Sequence, residues 1–199
     1  NKQFITQYED YYIPFIKKSL ISLNIYPYEN YKFNLASKII CLKLLERPDR
    51  FQLFIQQGKA NLPQLTYFDG INHEYGWIGC GMSYRQLIYN ASVQNMDYIT
   101  ICEDDCLFHS SFKTNYKIIM DYLQQHMDEW DIMIGLVAAF SKTLHPTVSK
   151  IIQLDNNILL IEVNKFVSGV CNIYNKSSFD SFLQWDSTNN KKKNIFDRY

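Results

Sequence analysis

The sequence predicts an α/β domain built on a mainly parallel central sheet. Three observations predict it: short apolar runs too continuous for half-exposed strands, helical-period stretches set between them, and an acidic corner that closes one of the runs. Residues 37–45 (SKIICLKLL) form the first such run, which suits a strand buried on both faces. Pro48 stands where a helix can start, and Phe51, Leu53, Phe54 and Ile55 carry that helix to Gly58, an expected C-terminal stop.

Residues 65–68 read as a second strand, and the turn at Asp69, Gly70, Ile71 and Asn72 leads into a helical pattern over about residues 78–94. Residues 98–102 (YITIC) alternate and then run into Glu103, Asp104 and Asp105, after which residues 112–127 read as helix through Tyr116, Ile119, Met120 and Leu123. A strand follows over residues 131–136. Residues 151–154 and 158–163, joined by Asp155, Asn156 and Asn157, predict a hairpin. Residues 166–174 add a strand and residues 177–185 a helix with Ser177 as its cap. At the front, Tyr11, Phe15, Ile16, Leu20 and Leu23 recur near helical spacing and predict a helix within residues 1–36.

Composition excludes several classes. With 47% hydrophobic and 16% aromatic residues and few Gly or Pro, the chain of 199 residues is neither disordered nor of low complexity. Twenty basic and twenty acidic residues cancel, so overall charge draws it to neither nucleic acid nor an anionic surface, and an anionic ligand must be recognised locally. Five cysteines without a CxxC pair read as reduced, buried thiols. The longest apolar stretch, residues 132–140, falls far short of the ~20 residues of a membrane helix, and no signal peptide opens the chain. A cytoplasmic domain is expected on these grounds.

The acidic corner draws the chemistry. Three consecutive carboxylates at the end of an apolar strand repel one another unless they face water or a cation. If the strand's alternation continues, Glu103 and Asp105 point together into a crevice while Asp104 turns away. Hard oxygen ligands at the open end of a sheet suit Mg²⁺ or Mn²⁺, and ligands of open α/β sheets bind at that end. The competing reading is a solvated acidic loop beginning the next helix. Arg47 and Arg50 can reach a diphosphate from the first strand-to-helix corner, or pair with Glu46 and Asp49 at a surface helix start. Gly79 and Gly81 read as residues for close helix packing rather than a phosphate cradle.

Several segments follow one another in a recognisable order: Arg47, Pro48, Asp49 and Arg50; Asp69 and Gly70; residues 76–84 (GWIGCGMSY); the acidic triplet; Trp130 and Asp131; and the strand and helix over residues 166–178. Together they resemble the family 25 glycosyltransferases, the group of lipooligosaccharide and procollagen galactosyltransferases, over residues 37–199. Residues 1–36 lie outside the likeness, as a helical extension or the end of a preceding domain, and truncation of the domain at its C-terminus is an expectation of the same reading. Lys43 stands where the family has Asn, Trp77 where it has Glu, and Tyr84 where it has His.

The resemblance implies a GT-A-like nucleotide-sugar-binding sandwich and transfer of a hexose, galactose above all, from a UDP-sugar with inversion. The acceptor would be a glycan or glycolipid such as lipooligosaccharide or capsule, at the inner face of a membrane. It implies a Mn²⁺ or Mg²⁺ ion on Asp105, with Glu103 reaching it through water or holding the ribose. Asp104 would orient the site or contact the sugar; Arg47, Arg50, Ser83 and Tyr84 would contact the donor; and Asp197 would take the acceptor's proton, with Asp186 as runner-up. The alternative is a catalytically silent relative serving as a binding or assembly domain.

Overall fold

The structure, a computed structural model, describes residues 12–13, 32–35, 37–62, 65–73, 75–135, 146–164 and 169–185. Its elements in chain order are β1 (Tyr12–Ile13), β2 (Ile39–Lys43), α1 (Pro48–Asn61), β3 (Leu65–Asp69), α2 (Gly76–Val93), β4 (Tyr98–Glu103) and α3 (Phe112–Gln125). There follow β5 (Ile132–Ile134), β6 (Val148–Asp155), β7 (Ile158–Val163), β8 (Cys171–Asn175), a 3₁₀ turn (Lys176–Ser178) and α4 (Phe179–Leu183).

Six strands form one sheet in the order β1-β3-β2-β4-β8-β5, and β6 and β7 form a separate hairpin. The pairings from β1 through β4 are all parallel, whereas β8 runs antiparallel to both β4 and β5. The sheet is therefore mixed, with a parallel block of four strands. Its architecture is compatible with a glycosyltransferase fold.

Helices cover both faces, and the strand residues sort between them by parity. Ile40, Leu42, Phe68, Ile99, Ile101 and Tyr174 pack with α2 and α4 through Ile78, Met82, Leu87, Phe179 and Phe182. Ile39, Cys41, Tyr67, Cys102 and Cys171 turn the opposite way, toward Phe54 and Ile55 of α1 and the Phe112–Tyr116 end of α3. Further along α3, Met120 and Leu123 cover Ile173. Two-sided cover explains why residues 37–45 show no alternation: all five residues of β2 are buried. Each fully buried Leu or Ile contributes roughly 1.5–3 kcal/mol.

Some expectations are corrected. Within the front segment the described pair Tyr12–Ile13 is strand, lying parallel beside Tyr67 and Phe68, while the rest of the expected helix falls outside the described residues apart from residues 32–35. Phe33 and Leu35 nevertheless join the α2 side of the core: their amides donate to Asn90 Oδ1 at 2.9 Å and Gln94 Oε1 at 3.0 Å. Helix α1 does not stop at Gly58 but continues to Asn61. Ser177 is not the cap of the last helix. Asn175 caps the 3₁₀ turn instead, its side chain accepting from the Ser177 amide. The hairpin turn is as expected, with Asn157 N donating to Asp155 Oδ1 at 2.7 Å.

Candidate functional site

Strands β2, β3 and β4 run in one direction and end side by side, so Lys43, Asp69 and Glu103 reach the same rim of the sheet. The chain leaves this rim through the corners that precede α1 and α2 and through the acidic corner. Because β8 is reversed, its entry at Gly169 and Val170 arrives there too: Glu103 N donates to Val170 O at 2.7 Å. Four stretches distant in sequence thus meet at the end where α/β sheets bind ligands.

The triplet does not follow strand alternation, because β4 ends at Glu103 and Asp104 and Asp105 form a turn. That corrects the expectation of Glu103 and Asp105 side by side. Glu103, in phase with Ile99 and Ile101, turns to the α2 face, where Tyr84 Oη lies 3.2 Å from its Oε1. Asp105 lies on the α1 side, accepting from Arg50 Nη1 at 3.0 Å. Asp104 is buried between them: its Oδ2 accepts from Leu44 N at 3.1 Å, its own amide donates to Leu42 O, and Arg50 Nη1 stands 3.9 Å from its Oδ1. Burial pushes the Asp104 carboxyl up, while the Leu44 amide and the Arg50 charge pull it back. Asp104 therefore serves the β2–α1 corner directly.

The two arginines differ. Arg47 forms a two-pronged pair with Asp49, Nε to Oδ1 at 3.0 Å and Nη2 to Oδ2 at 2.9 Å, which holds the Asp49 carboxyl down at about 2. Arg50, in the first turn of α1, is the arginine that meets the acidic corner. Its guanidinium is about one-third exposed.

On α2, Ser83 is buried, its hydroxyl accepting from Ile71 N at 2.8 Å and donating to Gly79 O at 2.7 Å. It ties the helix to the loop after β3. Tyr84 is 1% exposed, with its hydroxyl between Glu103 and the Gly169 carbonyl. Burial, reinforced by the Glu103 charge, pushes that phenol well above its ordinary value. The glycines act as expected. A Cβ on Gly79 would strike the Ile71 carbonyl, and one on Gly81 would strike the Trp185 indole, so both let other groups approach the helix.

Sequence reasoning missed one arrangement. Lys43 and Asp69, partners in the β2–β3 register, form an ion pair with side chains only 8% and 0% exposed, and Lys43 Nζ also stands 4.9 Å from the Phe51 ring centroid. Burial pushes the lysine down and the carboxyl up to about 7. The signal was a lysine closing an apolar run beside a strand that ends in aspartate. Asp186 and Asp197 lie outside the described residues.

A divalent ion at this corner would have to be completed by phosphate and water oxygens. Mg²⁺ and Mn²⁺ need only one or two protein carboxylates when diphosphate and water supply the rest. Asp105, with a carboxylate 39% exposed at the rim, meets that need. Among the described residues no group of three or more His, Cys, Asp or Glu converges as a closed metal cage. No helix of the described residues is long and apolar enough to cross a membrane.

A search of curated proteins found no match to the chain. Residues 74–158 match the model of glycosyltransferase family 25 (LPS biosynthesis protein). The matched segment runs from the loop before α2 across the acidic corner to the start of β7, so it contains Tyr84, Glu103, Asp104 and Asp105. Over this segment, which is less than half of the chain, the sequence is similar to that family.

Proposed function

We propose that the chain transfers a hexose, galactose above all, from a UDP-sugar to a glycan or glycolipid acceptor of the lipopolysaccharide, lipooligosaccharide or capsule type, with inversion at the anomeric carbon. One observation carries this reading: the acidic corner lies inside the family match and at the open end of the parallel strands, and a single arginine from the neighbouring corner stands on it. The acceptor class rests on the family's description, and it suits action at the cytoplasmic face of a membrane.

Each residue then has a task. Asp105 would hold Mn²⁺ or Mg²⁺, which when bound neutralises charge on the leaving diphosphate, and Glu103, turned to the α2 face, would accept from the ribose hydroxyls. Arg50 exchanges part of its contact with Asp105 for the phosphate oxygens, so the same guanidinium serves the empty and the filled site. Asp104 fixes the Leu44 amide and hence the β2–α1 corner that carries Arg47 and Arg50. Tyr84 holds Glu103 and the entry of β8 at one distance from the ligand. Asp197, or failing it Asp186, would take the acceptor hydroxyl's proton.

The test is release of UDP from UDP-galactose in the presence of a glycan acceptor, with and without Mn²⁺. Asp105→Ala should abolish both turnover and Mn²⁺-dependent donor binding. Tight donor binding indifferent to EDTA and to that substitution would overturn the assignment. Donor binding with no turnover on any acceptor would favour the silent, binding relative.

A further inference from the structure

Strands β2, β4 and β8 place three thiols in one row across the sheet: Cys41 is in register with Cys102, and Cys102 with Cys171. All three point to the α1 face and are 0%, 0% and 5% exposed, and Cys106 joins them from the turn after the acidic corner. The hydrogen bond from Glu103 N to Val170 O makes Glu103 and Val170 a bonded pair of the antiparallel ladder. Their neighbours Cys102 and Cys171 are therefore a non-bonded pair, whose Cα atoms lie about 4.5 Å apart in such ladders. That spacing falls at the short end of the range spanned by disulfides, roughly 4.4–6.8 Å. The Sγ atoms are already 3.1 Å apart.

We propose that Cys102 and Cys171 are a modification site: a thiol pair that takes the oxidising equivalents of a small disulfide, such as oxidised glutathione, to form a reversible cross-strand bond. In the first step one protein thiol, deprotonated, attacks the small disulfide, forming a mixed disulfide and expelling one thiolate that takes up a proton. In the second, the facing thiol attacks the protein sulfur of that mixed disulfide and expels the second small thiol. One disulfide is reduced to two thiols as two protein thiols are oxidised, so electrons and protons balance.

Proximity favours the second step, because the facing sulfur needs only a small approach within a ladder that is already paired. Ordinary core packing needs small apolar groups here but not two sulfurs in contact. The contact with Cys102 and burial push the Cys171 thiol well up, so exchange is slow and follows opening of the strand pair. Equilibrium, not rate, is the observable. The bond joins the strand that ends in Glu103 to the strand whose entry supplies Gly169 and Val170, so it fixes the rim from beneath.

The full chain is equilibrated in oxidised and reduced glutathione mixtures, quenched with acid, and alkylated after denaturation. Relative to the fully reduced protein with its five thiols, two fewer should alkylate, with loss of about two mass units for two hydrogens. Peptide mapping should join Cys102 to Cys171, and a dithiol should reverse the bond. Cys106→Ala should keep the effect; Cys171→Ala, folded by circular dichroism, should lose it. Should Cys171→Ala not fold, the wild-type peptide map decides alone. Five alkylated thiols at every ratio, accumulation of glutathione adducts without an internal bond, or a map joining any other pair would each overturn the proposal.

Discussion

The hydroxyl of Tyr84 stands between the Glu103 carboxylate, at 3.2 Å, and the carbonyl of Gly169, and one phenolic proton serves both. Helix α2 is thereby joined at one atom to the end of β4 and to the entry of β8. Tyr84→Phe keeps the ring, which packs edge-on against Tyr174, and removes only that junction. Loss of a buried hydroxyl that bridges two acceptors should cost about 1–3 kcal/mol, read as a lower urea midpoint at unchanged slope.

Arg50 separates binding from stability. Its contact with Asp105 is one-third exposed on both sides, so Arg50→Ala should change the unfolding free energy by less than about 1 kcal/mol. Donor affinity, measured by calorimetry with UDP and Mn²⁺, should fall about tenfold or more, a loss of ~1.4 kcal/mol or greater. Arg47→Ala, which frees only Asp49 at the surface, should have the smaller effect on affinity.

The Lys43–Asp69 pair should behave as a unit. Lys43→Met leaves a buried carboxyl beside the β2–β3 ladder and should cost roughly 3 kcal/mol, as should Asp69→Leu. The double substitution should recover most of the loss, because neither charge then remains to be compensated. Denaturant unfolding of the four proteins completes the cycle.

The same aspartate sets a pH dependence. Its carboxyl is raised from 3.8 to about 7 by burial, so the folded protein holds this proton more tightly than the unfolded chain. Its contribution to stability is fully present below the ordinary carboxylate value and is lost as pH rises through about 7. Unfolding free energy should decline across that window by less than about 1.4 kcal/mol per pH unit, since Lys43 offsets part of the effect. Asp69→Asn should flatten the profile.

Gly81 lies flat beneath the Trp185 indole, where a Cβ would overlap the ring. Gly81→Ala should cost about 1–3 kcal/mol by displacing the indole, seen as altered tryptophan emission together with a lower unfolding midpoint.

The parallel block was legible because burial on both faces leaves continuous apolar runs, and β2, β3 and β4 lie within a residue or two of where residues 37–45, 65–68 and 98–102 predict strands. Pairing order and the reversal of β8 were not, since an apolar run looks alike in either direction. Gly58 misled because an intrinsic stop signal is weak against tertiary packing of a helix whose Phe54 and Ile55 are anchored in the core. At the site, the acidic residues and the pair Arg47 and Arg50 stood out by their chemistry, but which arginine meets the acidic corner did not. The split of the triplet did not, because it depends on β4 ending one residue before the pleat could carry Asp104 and Asp105.

Reversal of β8 has an evolutionary consequence. The chain leaves the rim after Asp105 and comes back to it at Gly169, so everything between, including α3, β5 and the β6–β7 hairpin, is an excursion with both ends anchored at one place. Because α3 and β5 complete the core and the sheet, it is the β6–β7 hairpin, a sheet of its own, whose length can change while the four parallel strands keep their pairing.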